Sequence, residues 1–168
     1  FLDELDALDK PVTVVFYGDH LPGIYSSASE DGNNSLALHL TDYFIWSNKA
    51  SSSQGTKNEN SDYTSPNYFI AQAAEHMNAK VSPFLAFLTQ MHEHVSAMEP
   101  PVVNNIQGWD RIPEGQPIYL DADGNPMAES EMDAATRQLL DDYKLIQYDV
   151  TAGDGYLKDL GFMDAPER

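Results

Sequence analysis

Val12-Thr-Val-Val-Phe-Tyr-Gly-Asp-His-Leu-Pro22 is the stretch on which the fold turns. Val12 to Tyr17 are β-branched or aromatic and show no clean alternation, which predicts a buried strand of a parallel sheet. Gly18-Asp19-His20-Leu21-Pro22-Gly23 ends it. In open α/β sheets, ligands collect at the carboxyl ends of strands, so Asp19 and His20 stand where chemistry is expected. Gly18 allows the chain to leave the pleat sharply. A carboxylate oxygen beside an imidazole nitrogen suits a borderline divalent ion such as Mn²⁺ or Zn²⁺. The same dipeptide also reads as a plain turn, Asp19 capping it and His20 a hydrogen-bonded loop residue. Taken alone, it leaves both readings open.

Working outward, Phe1, Leu2, Leu5 and Leu8 recur at helical spacing ahead of Lys10-Pro11, which breaks the helix. The chain starts inside that helix without Met, and is therefore expected to be part of a longer protein. A second strand, also expected to be buried, is read over residues 42–47, ending at Asn48, with a polar loop from Ser26 to Ser35 between the two. Residues 49–64 form a polar, low-complexity loop, expected to be flexible. Ser65-Pro66 and Ser82-Pro83 each supply an N-cap and a first helical position. The first helix is expected to reach Asn78, with Phe69, Ile70, Ala73, Ala74 and Met77 on its apolar face. The second carries the stripe Phe84, Leu85, Phe87, Leu88, Met91, Val95 and Met98, stopped by Pro100-Pro101. Residues 99–116 read as irregular and Ile118-Tyr-Leu120 as a short strand before a turn. Glu129 to Tyr148 reads as the last helix, with Met132, Leu139, Leu140, Tyr143, Leu145, Ile146 and Tyr148 as its apolar set. Gly153 and Gly155 punctuate its end. No internal repeat or domain boundary is visible, so 1–168 reads as a single partial domain.

Other candidate residues are weaker. His92-Glu93-His94 looks like a metal motif, but residues two apart on a helix diverge by about 200°, and an exposed helix face is expected. His76, near a helix C-terminus, is expected to be cationic and to complement the dipole. His39 stands just before the second strand, either approaching the sheet edge or packing. Asp121, Asp123 and Asn125 match the first three ligands of a calcium loop, but Pro126 replaces its glycine and Met132 its closing glutamate. A tight turn is expected there. Tyr43, Trp46, Tyr143 and Tyr148 read as core by spacing, and Trp109 as a contact residue or a loop anchor. Ser26 and Ser27 sit on no strand-to-helix elbow, which argues against a serine nucleophile.

Composition bounds the partners. The 168 residues hold 27 acidic and 9 basic side chains, a net charge of −18. That excludes a nucleic-acid backbone as the default partner and argues against electrostatic docking of this segment on an anionic membrane. With 7 Phe, 9 Tyr and 2 Trp the chain is no disordered acidic tail. It has no cysteine, so disulfides and thiolate chemistry are excluded. No run is long enough to span a bilayer.

Val14-Val-Phe-Tyr-Gly-Asp-His-Leu-Pro22 resembles the metal-binding segment of the sulfatase-like family that includes lipoteichoic acid synthases and related phosphoglycerol transferases, in the alkaline-phosphatase superfamily. Thr41-Asp-Tyr-Phe-Ile-Trp-Ser-Asn48, Ser65-Pro66-Asn67-Tyr68 and Asp141 to Asp149 with Gly153 resemble later segments of the same family. The resemblance implies an α/β fold, the C-terminal portion of a sulfatase-like domain with few core strands and packed helices. It implies that Asp19 and His20 are two metal ligands, Mn²⁺ being the first choice of ion. The early acidic ligand and the Thr or Ser nucleophile have no counterpart here and would lie upstream, so the chain by itself is expected to be inactive. The parent would be a membrane-anchored enzyme on the extracytoplasmic face of a bacterial membrane, acting on a lipid-linked or glycerophosphate-type substrate. A sulfatase or phosphodiesterase with the same ligands, and a non-catalytic acidic interaction domain, are the alternatives. A sheet lacking strands from the missing part would expose an edge and invite self-association.

Overall fold

The structure is a computed structural model that describes residues 1–20, 40–99 and 117–167. Its contacts divide the chain into two units, Phe1–Gln54 with Glu99–Ile118, and Gly55–Met98 with Tyr119–Arg168. His39, Ser26, Ser27, Trp109 and the expected polar loop from Ser26 to Ser35 lie outside the described residues, as do Leu21 and Pro22.

The first unit opens with helix α1 (Leu2–Asp6), followed by strand β1 (Thr13–Tyr17) and strand β2 (Tyr43–Ser47). The two strands pair antiparallel, with Thr13 opposite Ser47 and Tyr17 opposite Tyr43. Both strands are present as expected, but they pair antiparallel where a parallel sheet was expected. An apolar run reports how much of a strand is covered, not the direction of its neighbour. Complete burial also fails. Val14 and Val15 are half-buried, while Phe16, Tyr17 and Phe44 are exposed. Phe16 and Phe44 face each other across the pair and stack with ring centroids 5.0 Å apart, the contact expected of directly opposed aromatics.

Asn48 closes the opposite end of this hairpin. Its side chain is fully buried, its Oδ1 accepts from Val12 N–H at 3.0 Å, and its Nδ2 donates to Leu5 O at 3.1 Å and Lys10 O at 2.9 Å. One amide thus ties the Leu5 carbonyl of α1 to the chain entering β1.

The second unit contains helices α2 (Phe69–His76) and α3 (Pro83–His94), all but the end residues Glu99 and Ile118 of strands β3 (Ala97–Glu99) and β4 (Ile118–Leu120), helix α4 (Ala134–Thr151) and helix α5 (Tyr156–Asp159). A 3₁₀ turn over Pro66–Tyr68 leads into α2, and another over Glu129–Glu131 precedes α4. β3 and β4 form a second two-stranded sheet. Ser82 caps α3 by accepting from Leu85 N–H at 3.3 Å, and Asp133 caps α4 by accepting from Thr136 N–H at 2.7 Å. The core joins Tyr68, Ala71, Leu88, Met91, Val95, Tyr119, Met132 and Leu140.

Three helix readings are corrected. The buried face of α2 is Ala71, Gln72, Ala74 and His76, while Ile70 is 69 % exposed. Tyr68, buried completely just ahead of the helix, sets that face, and Gln72 joins it because Thr64 Oγ1 donates to its Oε1 at 2.8 Å. The helix α3 ends at His94 rather than at Pro100, because Val95 turns extended and Ser96 N–H donates to Leu120 O at 2.9 Å. On α4, Leu139, Leu140 and Ile146 are buried but Leu145 and Tyr148 are 66 % and 63 % exposed. Tyr148 is therefore not core, and Tyr43, Trp46 and Tyr143 are only half-buried.

Candidate metal centre

Asp19 and His20 stand where β1 ends. Gly18 N–H still makes a ladder bond to Asp42 O at 3.1 Å, and Thr41 Oγ1 donates to Gly18 O at 2.7 Å. A Cβ on Gly18 would lie 3.0 Å from Thr41 Cβ and 3.3 Å from its Cγ2. Gly18 is absent from the positive-φ glycines, Gly55, Gly124, Gly155 and Gly161. No left-handed conformation calls for glycine there; the chain bends at Asp19 and His20 just after it, and the close approach of Thr41 leaves little room for a side chain.

Past Gly18 the two candidate ligands converge. His20 N–H donates to Asp19 Oδ1 at 3.0 Å, which orients the carboxylate, and Asp19 Oδ2 lies 3.6 Å from His20 Nε2. Both side chains are open to solvent, 81 % and 76 % exposed. Two donors bound to one divalent ion at roughly 2.1 Å stand about 3.0–3.4 Å apart. The pair fits that spacing after a small side-chain rotation, and its oxygen and nitrogen donors fit a borderline ion. The local backbone bond to Asp19 and the approach of the imidazole to its other oxygen are compatible with an ion pair in a turn and with a ligand pair. Among the described residues no group of three or more His, Cys, Asp or Glu is arranged to hold a metal.

The remaining candidates are engaged within the second unit. His92 and His94 diverge as expected from their spacing, but His92 is buried rather than on an exposed face. Its Nε2 lies 3.3 Å from both Tyr63 O and Gln72 Nε2, and its ring packs edge-on to Tyr68. Burial pushes the His92 imidazole below its ordinary range, partly offset by the Tyr63 carbonyl and Glu93. His94 Nδ1 is 3.0 Å from Thr136 Oγ1. His76 is 3 % exposed, and burial lowers its pKa as well. The expected cationic role at the helix terminus is thus replaced by a buried imidazole favoured in its neutral form. Asp121 spends its carboxylate on its own turn, accepting from Asp123 N–H at 2.9 Å and Asn125 N–H at 2.8 Å. The tight turn expected there is present.

Thr41 was not singled out by sequence. A threonine before a strand carries no signal until Gly18 is known to lie against it.

Residues 1–79 match the Sulfatase family model. Over 98 % of its length the chain matches the structure of the phosphoglycerol transferase GacH of Streptococcus pyogenes in complex with sn-glycerol-1-phosphate, at 30 % sequence identity and a TM-score of 0.63. The chain spans 34 % of that protein's length. No curated protein matches the sequence.

Proposed function

The chain is a relative of the sulfatase-like phosphoglycerol transferases, and from that premise we propose that Asp19 and His20 supply two ligands of the metal site in an extracytoplasmic phosphoglycerol transferase of cell-envelope synthesis. The observation that carries this reading is the 3.6 Å approach of Asp19 Oδ2 and His20 Nε2 at a strand exit. Similarity to an enzyme solved with sn-glycerol-1-phosphate supports a lipid-linked or glycerophosphate-type substrate. Mn²⁺ is the proposed ion, chosen for a mixed carboxylate and imidazole set. Asp19 and His20 would hold a divalent ion that, when bound, would lower the pKa of a hydroxyl nucleophile and take up charge on a transferring phosphoryl group.

The chain's own part is to hold and orient. The His20 N–H fixes one oxygen of Asp19, leaving the other turned toward the imidazole. Exposure of both side chains leaves room for donors from the rest of the parent. The nucleophile and an early acidic ligand are proposed to come from upstream, so the chain alone would not turn over substrate. Among the described residues no helix is long and apolar enough to cross a membrane; anchoring, in this reading, belongs to the parent.

Titration of Mn²⁺ into the full-length parent, read by the loss of the free-ion EPR signal, tests the assignment. Asp19→Ala and His20→Ala are each expected to weaken affinity by at least about tenfold. Wild-type affinity in both variants would refute it. The Sulfatase match over residues 1–79 supports a second reading, ester hydrolysis with water as acceptor. Product analysis with a glycerophosphate donor separates the two: glycerophosphate joined to an acceptor means transfer, and glycerophosphate released to water means hydrolysis.

A further inference from the structure

We infer that Thr41 is a positioning residue for the Asp19–His20 pair, acting through the Gly18–Asp19 peptide plane. The inference rests on the metal reading proposed above. Gly18 C=O and Asp19 N–H belong to one planar peptide unit, so whatever fixes the carbonyl also fixes the direction in which Asp19 leaves the strand. Inside a sheet the ladder does this. At the end of β1 the ladder makes its bond through Gly18 N–H, to Asp42 O. The carbonyl on the other side of Gly18 is taken by a side chain instead, the Thr41 hydroxyl at 2.7 Å.

Two features make the bond a clamp rather than an incidental contact. The first is steric. Thr41 sits so close over Gly18 that a Cβ there would meet Thr41 Cβ at 3.0 Å, so any side chain at this position presses on Thr41. The second is covalent. Thr41 adjoins Asp42, whose carbonyl accepts from Gly18 N–H. Consecutive residues just ahead of β2 thus hold both sides of Gly18, one by backbone and one by side chain. Asp19 and His20 follow at once, and the direction in which the pair faces away from the strand depends on the angle at which the chain leaves that grip. A threonine suits the task because its β-branched side chain is confined to few rotamers while its hydroxyl donates.

The test compares wild type, Thr41→Val, Thr41→Ser, Gly18→Ala and Asp19→Ala in the full-length parent. Mn²⁺ affinity is read by EPR, and the melting temperature is read without metal. Thr41→Val keeps the shape and removes the donor, and is expected to weaken Mn²⁺ binding about tenfold, the usual cost of removing a group that orients a ligand. Thr41→Ser keeps the donor and is expected to bind within about twofold of wild type. Gly18→Ala pushes on the same clamp from the other side and is expected to weaken binding as Thr41→Val does, which keeps the test decisive if the valine variant folds poorly. Loss of affinity in Asp19→Ala with wild-type affinity in both Thr41→Val and Gly18→Ala would overturn the role of Thr41 and leave the metal reading standing. Equal loss in Thr41→Ser and Thr41→Val, tracking a lower metal-free melting temperature, would reduce Thr41 to a packing residue. Wild-type affinity in Asp19→Ala would remove the metal reading and this inference together.

Discussion

Asn48 and His92 show how much a single buried polar residue can carry here. Asn48 is fully buried and its amide answers a backbone donor and two backbone acceptors within 3.1 Å. Asn48→Ala removes all of these at a site where Leu5 and Val12 are only partly open to water. The expected loss is roughly 3 kcal/mol in chemical denaturation, since each stranded buried group costs about 1–3 kcal/mol. His92 acts through protonation. Burial lowers its pKa in the folded protein, so the unfolded chain takes up the proton first as pH falls. The stability contributed by neutral His92 is therefore fully present above the unfolded value of 6.5 and is lost as pH drops below it. The melting temperature should fall between about pH 7 and pH 5, and His92→Gln should flatten that slope. An unchanged slope in the variant would assign the acid sensitivity to other groups, of which buried His76 is the first to try.

At the scale of elements, local signals placed starts better than ends. Ser82-Pro83 and Ser65-Pro66 mark the entries to α3 and to the 3₁₀ turn before α2, because an N-cap and a proline act on the backbone beside them. The end of α3 could not be read in the same way. Met98 continues the helical stripe in sequence, yet Val95 leaves the helix and Ser96 bonds to Leu120, 24 positions along the chain. The turn after β4 makes a sharper case. Gly124 has φ +79° and lies under the Tyr63 ring, so that a Cβ would stand 2.3 Å from Tyr63 Cζ. Gly124→Ala meets both a backbone penalty and a clash with the segment from 55 to 64. It is expected to destabilise the protein by at least about 2 kcal/mol. A denaturation midpoint equal to wild type would show that neither the positive φ nor the Tyr63 contact costs stability.

For the whole molecule, charge and topology dominate. A net charge of −18 on 168 residues repels itself in the compact state. Raising salt from about 10 mM to about 150 mM shortens the screening length from about 30 Å to about 8 Å, and the melting temperature should rise accordingly. A flat melting temperature over that range would mean that the carboxylates are too far apart, or too well paired, to matter. Much of the rest was legible from residues 12–22 and 41–48: two strands, their boundaries, and an Asp-His pair at a strand end. Those features depend on neighbours along the chain, through β-branched propensity, proline, glycine and the order of residues, and sequence by itself determines them. What only the tertiary structure decided depends on residues far apart in the chain. The antiparallel pairing of β1 with β2, the buried Gln72 and His92, the early end of α3 and the seat of Thr41 over Gly18 all follow from segments returning to meet one another. Periodicity records which side of an element is apolar. It does not record which segment comes back to cover that side, nor which polar groups that segment will satisfy when it arrives.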